Sequence, residues 1–166
     1  MIHKLLFITF LVGLSLGTAS AQQKPDFSGT WKLNVAKSDF GVLPGPTSRT
    51  DVITHKDPAL SYTYTAEGPQ GKQEGKITYT TDGKEAVNKM GEREIKSTLK
   101  WVGSSLVISS KFVFNGNDAT GEGTWTLSPD GKTLTINQHY ASSLGEVDQK
   151  IVLEKQEAAA PATPKP

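Results

Sequence analysis

Cysteine is absent from this sequence of 166 residues, and no apolar run in it is long enough to cross a membrane as a helix. The main apolar stretch, Leu5–Leu16, is about a dozen residues long, whereas a membrane-spanning α-helix needs about 20. Without cysteine the chain cannot form disulfides or thiolate zinc sites. Burial of apolar side chains must therefore stabilise the fold, and the chain is long enough to provide such a core.

Residues 1–21 have the three parts of a secretory signal peptide. His3 and Lys4 lie beside the amino terminus, the apolar stretch follows, and Ala19–Ala21 forms a small-residue cleavage site. We expect cleavage after Ala21 and an exported product, periplasmic or secreted. Because no cysteine follows the apolar stretch, a lipid-modified amino terminus is excluded, and we expect the mature protein to be soluble.

Net charge is also small. The whole chain has 18 basic and 17 acidic residues, and removal of Lys4 with the signal peptide makes the mature chain formally neutral. A nucleic-acid-binding domain usually has a basic excess or a basic face. The composition therefore predicts no nucleic-acid partner and no binding to an anionic membrane surface.

The sequence also lacks the hydrophobic period of an amphipathic helix. Apolar and polar residues alternate along it instead. Leu60, Tyr62, Tyr64 and Ala66 share one face of a predicted strand, because successive strand residues point to opposite sides. The same pattern recurs along the chain. The predicted strands cover 29–34, 49–56, 60–67, 73–81, 93–101, 105–114, 119–128, 132–140 and 147–155, with a further short strand at 84–90.

Turn residues separate these strands at hairpin spacing. They are Asp82-Gly83, Asn115-Gly116 and Asp130-Gly131, with Gly103-Ser104 as a weaker signal. So many antiparallel strands must close into a barrel or form two packed sheets, since an open sheet would leave its edges and one apolar face uncovered. Successive short hairpins favour an all-β fold, an antiparallel up-and-down β-barrel of about 8–10 strands.

Two segments do not fit the strand pattern. Proline and glycine in Val35–Pro46 forbid a regular strand and leave room for one helical turn, so we interpret this segment as a lid or plug over one barrel end. Residues 156–166 are rich in alanine and proline and are predicted to be disordered. The expected organisation is a signal peptide, one barrel domain at 26–155 and this tail.

Gly29 and Trp31 form a Gly-x-Trp motif within Phe27–Asn34 that resembles the first strand of lipocalins and fatty-acid-binding proteins, the calycin superfamily. The stretch Ile95–Lys155 resembles the last strands of a fatty-acid-binding protein. The whole sequence also resembles exported lipocalin-like hypothetical proteins of soil bacteria, which share a segment like Trp125–Lys132. The resemblance implies a lipocalin-like barrel whose base is closed by Trp31, with Gly29 allowing close backbone approach.

The resemblance has two departures. Fatty-acid-binding proteins hold a carboxylate with an arginine and a tyrosine on the final strand, whereas this chain has Ile151 and Leu153 there and Lys150 on the opposite face. Those proteins also carry a two-helix portal, for which Val35–Pro46 is too short. The resemblance therefore implies the wider lipocalin-like class, and a carboxylate clamp on the last strand is not expected.

Catalytic chemistry has no visible basis in the mature sequence. It contains two histidines, His55 and His139, and neither has the partners that a zinc site or a nucleophile and base would need. His55 is the better candidate for a functional role because it could lie inward with Ile53 near the open end. We therefore predict no enzyme activity, no cofactor and no metal.

Polar and aromatic side chains on the predicted inner faces are the candidate binding residues. Interiors that hold ligands combine apolar walls with a few oriented polar groups. The candidates are Tyr62, Tyr64, Tyr79, Trp101, Gln138, Tyr140 and Gln149. A small hydrophobic or amphipathic ligand and a monomer are favoured. The alternative is a filled core in a structural module that binds another exported protein, because barrels of about eight strands lie at the margin between filled and hollow.

Overall fold

A computed structural model describes residues 24–157 of the chain. The predicted signal peptide and residues 158–166 of the predicted tail lie outside the described residues. Ten antiparallel strands account for most of this range, which confirms the all-β prediction. They are β1 (Gly29–Leu33), β2 (Ser48–Lys56), β3 (Ala59–Gly68), β4 (Gly71–Thr80), β5 (Asp82–Met90), β6 (Arg93–Val102), β7 (Ser105–Phe114), β8 (Asn117–Leu127), β9 (Thr133–Ser142) and β10 (Gly145–Lys155).

The strands form one sheet that curls into a nearly closed up-and-down barrel. Each strand pairs with its neighbour in sequence except at one point, and β1 pairs with β10, so the order is β4-β3-β2-β1-β10-β9-β8-β7-β6-β5. The β4 and β5 strands share no backbone ladder. Asn88 of β5 spans this gap, because its side-chain amide accepts from the Thr78 N–H at 2.9 Å and donates to the Thr78 carbonyl at 3.0 Å.

Three of the predicted turns join paired strands. Asn115 and Gly116 have φ values of 50° and 77°, the left-handed conformation that a tight two-residue hairpin requires. Gly103-Ser104 is a second two-residue connection, between β6 and β7. The loop around Asp130-Gly131 is longer, and the Gly131 N–H donates to the Ser128 carbonyl at 2.8 Å.

The prediction for Asp82-Gly83 was wrong in one respect. The chain does reverse there, but these residues begin β5, and the strands that they connect do not pair with each other. The β5–β6 register shifts between Asp82 and Glu85, and Gly83 has φ 83°. An irregular β5–β6 register, of the kind that a β-bulge produces, therefore coincides with the gap in the ladder between β4 and β5.

The predicted inner faces are confirmed by burial. Leu60 and Leu99 are fully buried, as are their counterparts Leu134 and Leu153 on β9 and β10. The core cluster consists of Phe27, Trp31, Leu33, Ile53, Leu60, Tyr64, Ile77, Tyr79, Leu99, Leu106, Ile108, Trp125, Leu134, Ile136, Ile151 and Leu153. Since these residues come from the inner faces of the strands and from the segment before β1, they form one core inside the barrel.

The segment Val35–Pro46 extends the barrel wall. After a 3-10 turn at Val35–Lys37, Asp39 forms a two-bond bridge with Lys150 of β10, each bond being 2.7 Å. The ring of Phe40 packs against the core. The segment predicted as a lid or plug therefore runs beside β10, and Phe40 is its contact with the interior. At the other terminus, the Gln156 N–H donates to the Thr30 carbonyl at 2.8 Å, so barrel contacts continue one residue past 155.

Within residues 24–157, no helix is long and apolar enough to cross a membrane.

Candidate functional site

One end of the barrel, here called the base, is closed by the segment that precedes β1. Phe27 is fully buried, and its ring lies 5.8–6.4 Å from the rings of His55, Trp101 and Trp125, which come from three separate strands. Trp31 is also fully buried, and its indole N–H donates to the Phe27 carbonyl at 2.9 Å. Aromatic packing thus fills the base and leaves no room there for a ligand.

Gly29 is required by this closure. It has φ 137°, and a Cβ at this position would lie 2.7 Å from the Cε atom of Lys155. The Lys155 ammonium group is 5.3 Å from the centre of the Trp31 ring. The positive φ is a backbone conformation that favours glycine, whereas the short contact involves the flexible end of the Lys155 side chain.

His55 points inward as predicted, but it lies at the base and not near the open end. Its side chain is 4% exposed, and Nδ1 accepts from the Phe27 N–H at 3.3 Å. The reason is the direction of β2, which runs toward the base, so that its last residues meet the segment before β1. Burial lowers the pKa of His55, partly opposed by the charges of Asp26 and Asp57. His55 is therefore a neutral packing residue.

Trp101 also belongs to the base. Its indole N–H donates to Asp57 Oδ1 at 2.7 Å, and the Lys24 ammonium group lies 5.3 Å from its ring centre. The structure thus separates Trp101 from the other candidate binding residues. Tyr62 and Tyr79 lie at the junction with the base, since the Tyr62 ring centre is 5.6 Å from that of Trp125 and Tyr79 pairs with Leu60, the partner of His55. The other half of the interior, here called the mouth half, contains Tyr64, Gln138, Tyr140 and Gln149.

A row of small side chains lines one wall of the mouth half. The strand register places Ala86 opposite Ser97, Ser97 opposite Ser110, and Ser110 opposite Gly121, across four adjacent strands. The two serine hydroxyls lie 2.8 Å apart and hydrogen-bond to each other. Because these side chains are short, the wall is recessed along β5–β8.

Two tyrosine rings lie flat on the wall over glycines of neighbouring strands. A Cβ on Gly75 would be 2.8 Å from Cε1 of Tyr64, and a Cβ on Gly121 would be 3.0 Å from Cδ1 of Tyr140. Each glycine is the cross-strand partner of the tyrosine that covers it. The missing side chains let the rings lie against the backbone and keep them out of the barrel centre.

Phenol groups from the two walls share one electrostatic environment. Burial raises the pKa of Tyr62 well above its ordinary value and raises that of Tyr79 to about 12. Burial likewise raises the pKa of Tyr140, and the positive charges of Arg49 and Arg93 partly oppose it. All three phenols therefore stay protonated at neutral pH and can donate a hydrogen bond to a bound molecule.

Sequence reasoning missed an ion pair in the interior. Nε and Nη2 of Arg49 donate to the two carboxylate oxygens of Asp51, each at 2.8 Å. The Asp51 side chain is 1% exposed and that of Arg49 is 19% exposed. Burial acts to lower the pKa of Arg49, but Asp51 outweighs it and holds the pKa above its usual range. Arg49, Asp51 and the inward residue Ile53 are alternate residues of β2, so strand alternation could have predicted that both charged residues point inward.

Two polar groups of the mouth half have no partner among the described residues. The hydroxyl of Tyr140 and the side-chain amide of Gln138 make no hydrogen bond there. In residues 24–157, the fully buried polar side-chain atoms without a partner are His55 Nε2 and Trp125 Nε1. Solvent therefore reaches the Tyr140 and Gln138 groups, although both side chains point into the barrel.

Gln149 lies directly opposite Gln138 on β10. Its amide donates to the carbonyl of Phe40 at 3.3 Å, which ties the segment after β1 to the interior. The two glutamines, with the phenols across the barrel, supply donors and acceptors around an apolar space. This combination is typical of sites that orient one small ligand.

The outer surface also has a groove, of about 490 Å³, over β8–β10. Its lining includes the exposed pair His139 and Asp148, whose Nδ1 and Oδ1 atoms are 2.8 Å apart, and Asp148 raises the pKa of His139. A charged, solvent-open groove would bury little apolar area of a ligand, so the interior is the better candidate. Among the described residues, no three histidine, aspartate or glutamate side chains are placed to hold a metal.

Solved structures share this barrel at low sequence identity. A variant of the fluorescent protein UnaG is 18% identical, with a TM-score of 0.53, over 80% of this chain and 97% of that one. The zebrafish ileal bile acid-binding protein, solved in complex with cholic acid, is 16% identical, with a TM-score of 0.51, over 78% and 98%. Secretory abundant heat soluble protein 4 from Ramazzottius varieornatus is 15% identical, with a TM-score of 0.51, over 82% and 100%.

No protein-family model matches the chain, and no curated protein matches it by sequence. The comparison with solved structures therefore concerns the fold alone. The chain shares the barrel fold of these three solved structures, and at the level of the fold this agrees with the resemblance found in the sequence.

Proposed function

We propose that this protein is an exported binding protein that holds one small hydrophobic or amphipathic molecule in the mouth half of its barrel, without catalysis. The observation that carries the proposal is the pair of unbonded polar groups on Tyr140 and Gln138, which point inward and are reached by solvent. A sealed core would bond or replace such groups, because an unsatisfied buried polar group costs about 1–3 kcal/mol.

Binding would derive its affinity from burial of the ligand's apolar part. The walls offer Ile77, Ile108 and the flat faces of Tyr64 and Tyr140. At about 25 cal/mol per Å², a ligand that buries roughly 300 Å² gains about 7 kcal/mol before entropic costs are subtracted. Phenol and glutamine groups would fix its orientation.

The fold neighbours support this proposal at the level of architecture. The zebrafish ileal bile acid-binding protein, which has the same fold, was solved in complex with cholic acid. In this chain the interior differs in its residues, so the neighbours do not identify the ligand. Export rests on the predicted signal peptide at residues 1–21.

Native mass spectrometry of the protein purified from its own host tests the proposal. We expect a bound small molecule that organic extraction releases. Replacement of Tyr64 or Tyr140 by leucine should reduce its retention, because each change removes a phenol and part of the wall. Thr65→Leu, on the outer face of β3 beside Tyr64, is the matched control and should leave retention unchanged.

An apo mass in every preparation, with no change in tryptophan fluorescence across a panel of lipids, would contradict the proposal. That outcome would favour the second interpretation, a structural module that presents its hairpins to another exported protein.

A further inference from the structure

Arg49, the buried cation near the mouth half, is already paired. Both oxygens of Asp51 accept from Arg49 at 2.8 Å, so the guanidinium offers no free bidentate edge on that side. Its carbon lies 5.8 Å from the centre of the Tyr64 ring, which covers a further part of the group. Asp51 is the one buried carboxylate among the described residues. The pair therefore contributes one positive and one negative charge to the site, and no net charge.

A ligand carboxylate would gain little in such a site. Transfer of an ionised carboxylate out of water costs several kcal/mol, and an unpaired cation has to compensate that cost. Here the carboxylate would meet Arg49 together with the repelling charge of Asp51. Displacement of Asp51 is no remedy, because it would leave that buried carboxylate unpaired instead.

An uncharged polar group finds better partners. The protonated phenols of Tyr62 and Tyr140 are donors, and the amide of Gln138 is both donor and acceptor. None of these groups requires a counter-charge, and transfer of a hydroxyl or carbonyl from water costs far less than transfer of an ion.

We infer that the polar group which this barrel takes into its mouth half is uncharged, a hydroxyl or a carbonyl, and that the ligand class is a neutral amphiphile and not a carboxylate. This inference rests on the proposed function and specifies its ligand class. In the site, Arg49 and Asp51 form an ion pair without net charge, and this pair favours an uncharged ligand over a carboxylate.

Displacement of the neutral dye Nile red from the full mature chain tests the inference. The competitors are dodecan-1-ol and dodecanoic acid at pH 8, which have equal chain lengths and differ in charge. We expect the alcohol to displace the dye at a concentration at least tenfold below that of the acid. Asp51→Asn frees Arg49 and should improve displacement by the acid at least tenfold, with little change for the alcohol.

Two further variants keep the test decisive. The double variant Arg49→Gln with Asp51→Asn restores a neutral pair and should return the preference for the alcohol, even where Asp51→Asn alone folds poorly. Lys76→Gln removes an exposed cation on the outer face of β4 and should leave the ratio unchanged.

Equal displacement by acid and alcohol from the unaltered protein would overturn the inference and leave the proposed function intact. A folded Asp51→Asn variant that still rejects the acid would also overturn it. Failure of the protein to bind Nile red, together with no effect of either competitor on its tryptophan emission, would instead count against the proposed function.

Discussion

The side-chain amide of Asn88 holds both backbone groups of Thr78 across the one gap in the described sheet. The two bonds are 2.9 Å and 3.0 Å long, and they link β5 to the backbone of β4 as backbone hydrogen bonds link the other neighbouring strands. Asn88 is 9% exposed, so these bonds are shielded from water. Asn88 therefore supplies a shielded hydrogen-bonded link between β4 and β5 where the backbone ladder is absent.

Asn88→Ala should lower the free energy of unfolding by about 1–3 kcal/mol, because both bonds are lost and the Thr78 backbone is left without partners. Urea denaturation followed by far-UV circular dichroism measures the change. Thr78→Ala is the control, since the bonds use the Thr78 backbone and not its exposed side chain. Equal loss in both variants would show that Asn88 has no special role.

Much of the fold could be predicted from the sequence, because alternation assigns each residue to one face of a strand. It placed Tyr62, Tyr64 and Tyr140 on the inner surface, where the structure has them. Alternation does not give height along the barrel axis, which depends on strand register. For that reason Trp101 was grouped with the tyrosines, and His55 was expected near the open end.

The ion pair was missed for a different reason. Charged residues in strands usually point to solvent, which favours an outward position for Arg49 and Asp51. Both nevertheless alternate with the inward residue Ile53 and therefore share its inner face. Their pairing depends on side-chain geometry that a sequence does not show. The β4–β5 gap was hidden in the same way, because Asp82-Gly83 is a turn signal whether or not the flanking strands pair.

Gly75→Ala should destabilise the protein by about 1–3 kcal/mol, since the new Cβ would meet the Tyr64 ring at 2.8 Å and push it toward the barrel centre. The measurement is the urea midpoint. The double variant Gly75→Ala with Tyr64→Leu should regain part of the loss relative to Tyr64→Leu alone. A Gly75→Ala variant as stable as the unaltered protein would show that the ring does not need this glycine.

Stability should fall as the pH is lowered through about 6.5, partly because of His55. Burial lowers its native pKa, so the unfolded chain takes up a proton at a pH where the native protein does not. The difference in unfolding free energy between pH 7.5 and pH 5.0 should therefore be smaller in His55→Asn, which keeps an acceptor near the Phe27 N–H. An identical difference in both proteins would contradict this assignment.

Cleavage of the predicted signal peptide gives the exported protein a defined mass and amino terminus. Expression of the full chain in its host should give a mature protein that begins at Gln22, because the predicted cleavage follows Ala21. Intact mass and amino-terminal sequencing of the exported fraction measure this. Ala21→Pro should block processing, and a full-length product that remains in the cytoplasm of the host carrying the unaltered sequence would contradict export.

Equilibrium titration of Nile red into the mature protein tests whether the mouth half of the barrel holds a small molecule. We expect saturable binding of one dye per chain. Ser110→Phe, which places a large ring on the inner face of β7, should abolish binding, whereas Ser109→Phe on the outer face of the same strand should leave it unchanged. Absence of saturable binding, or equal binding by both variants, would contradict the claim.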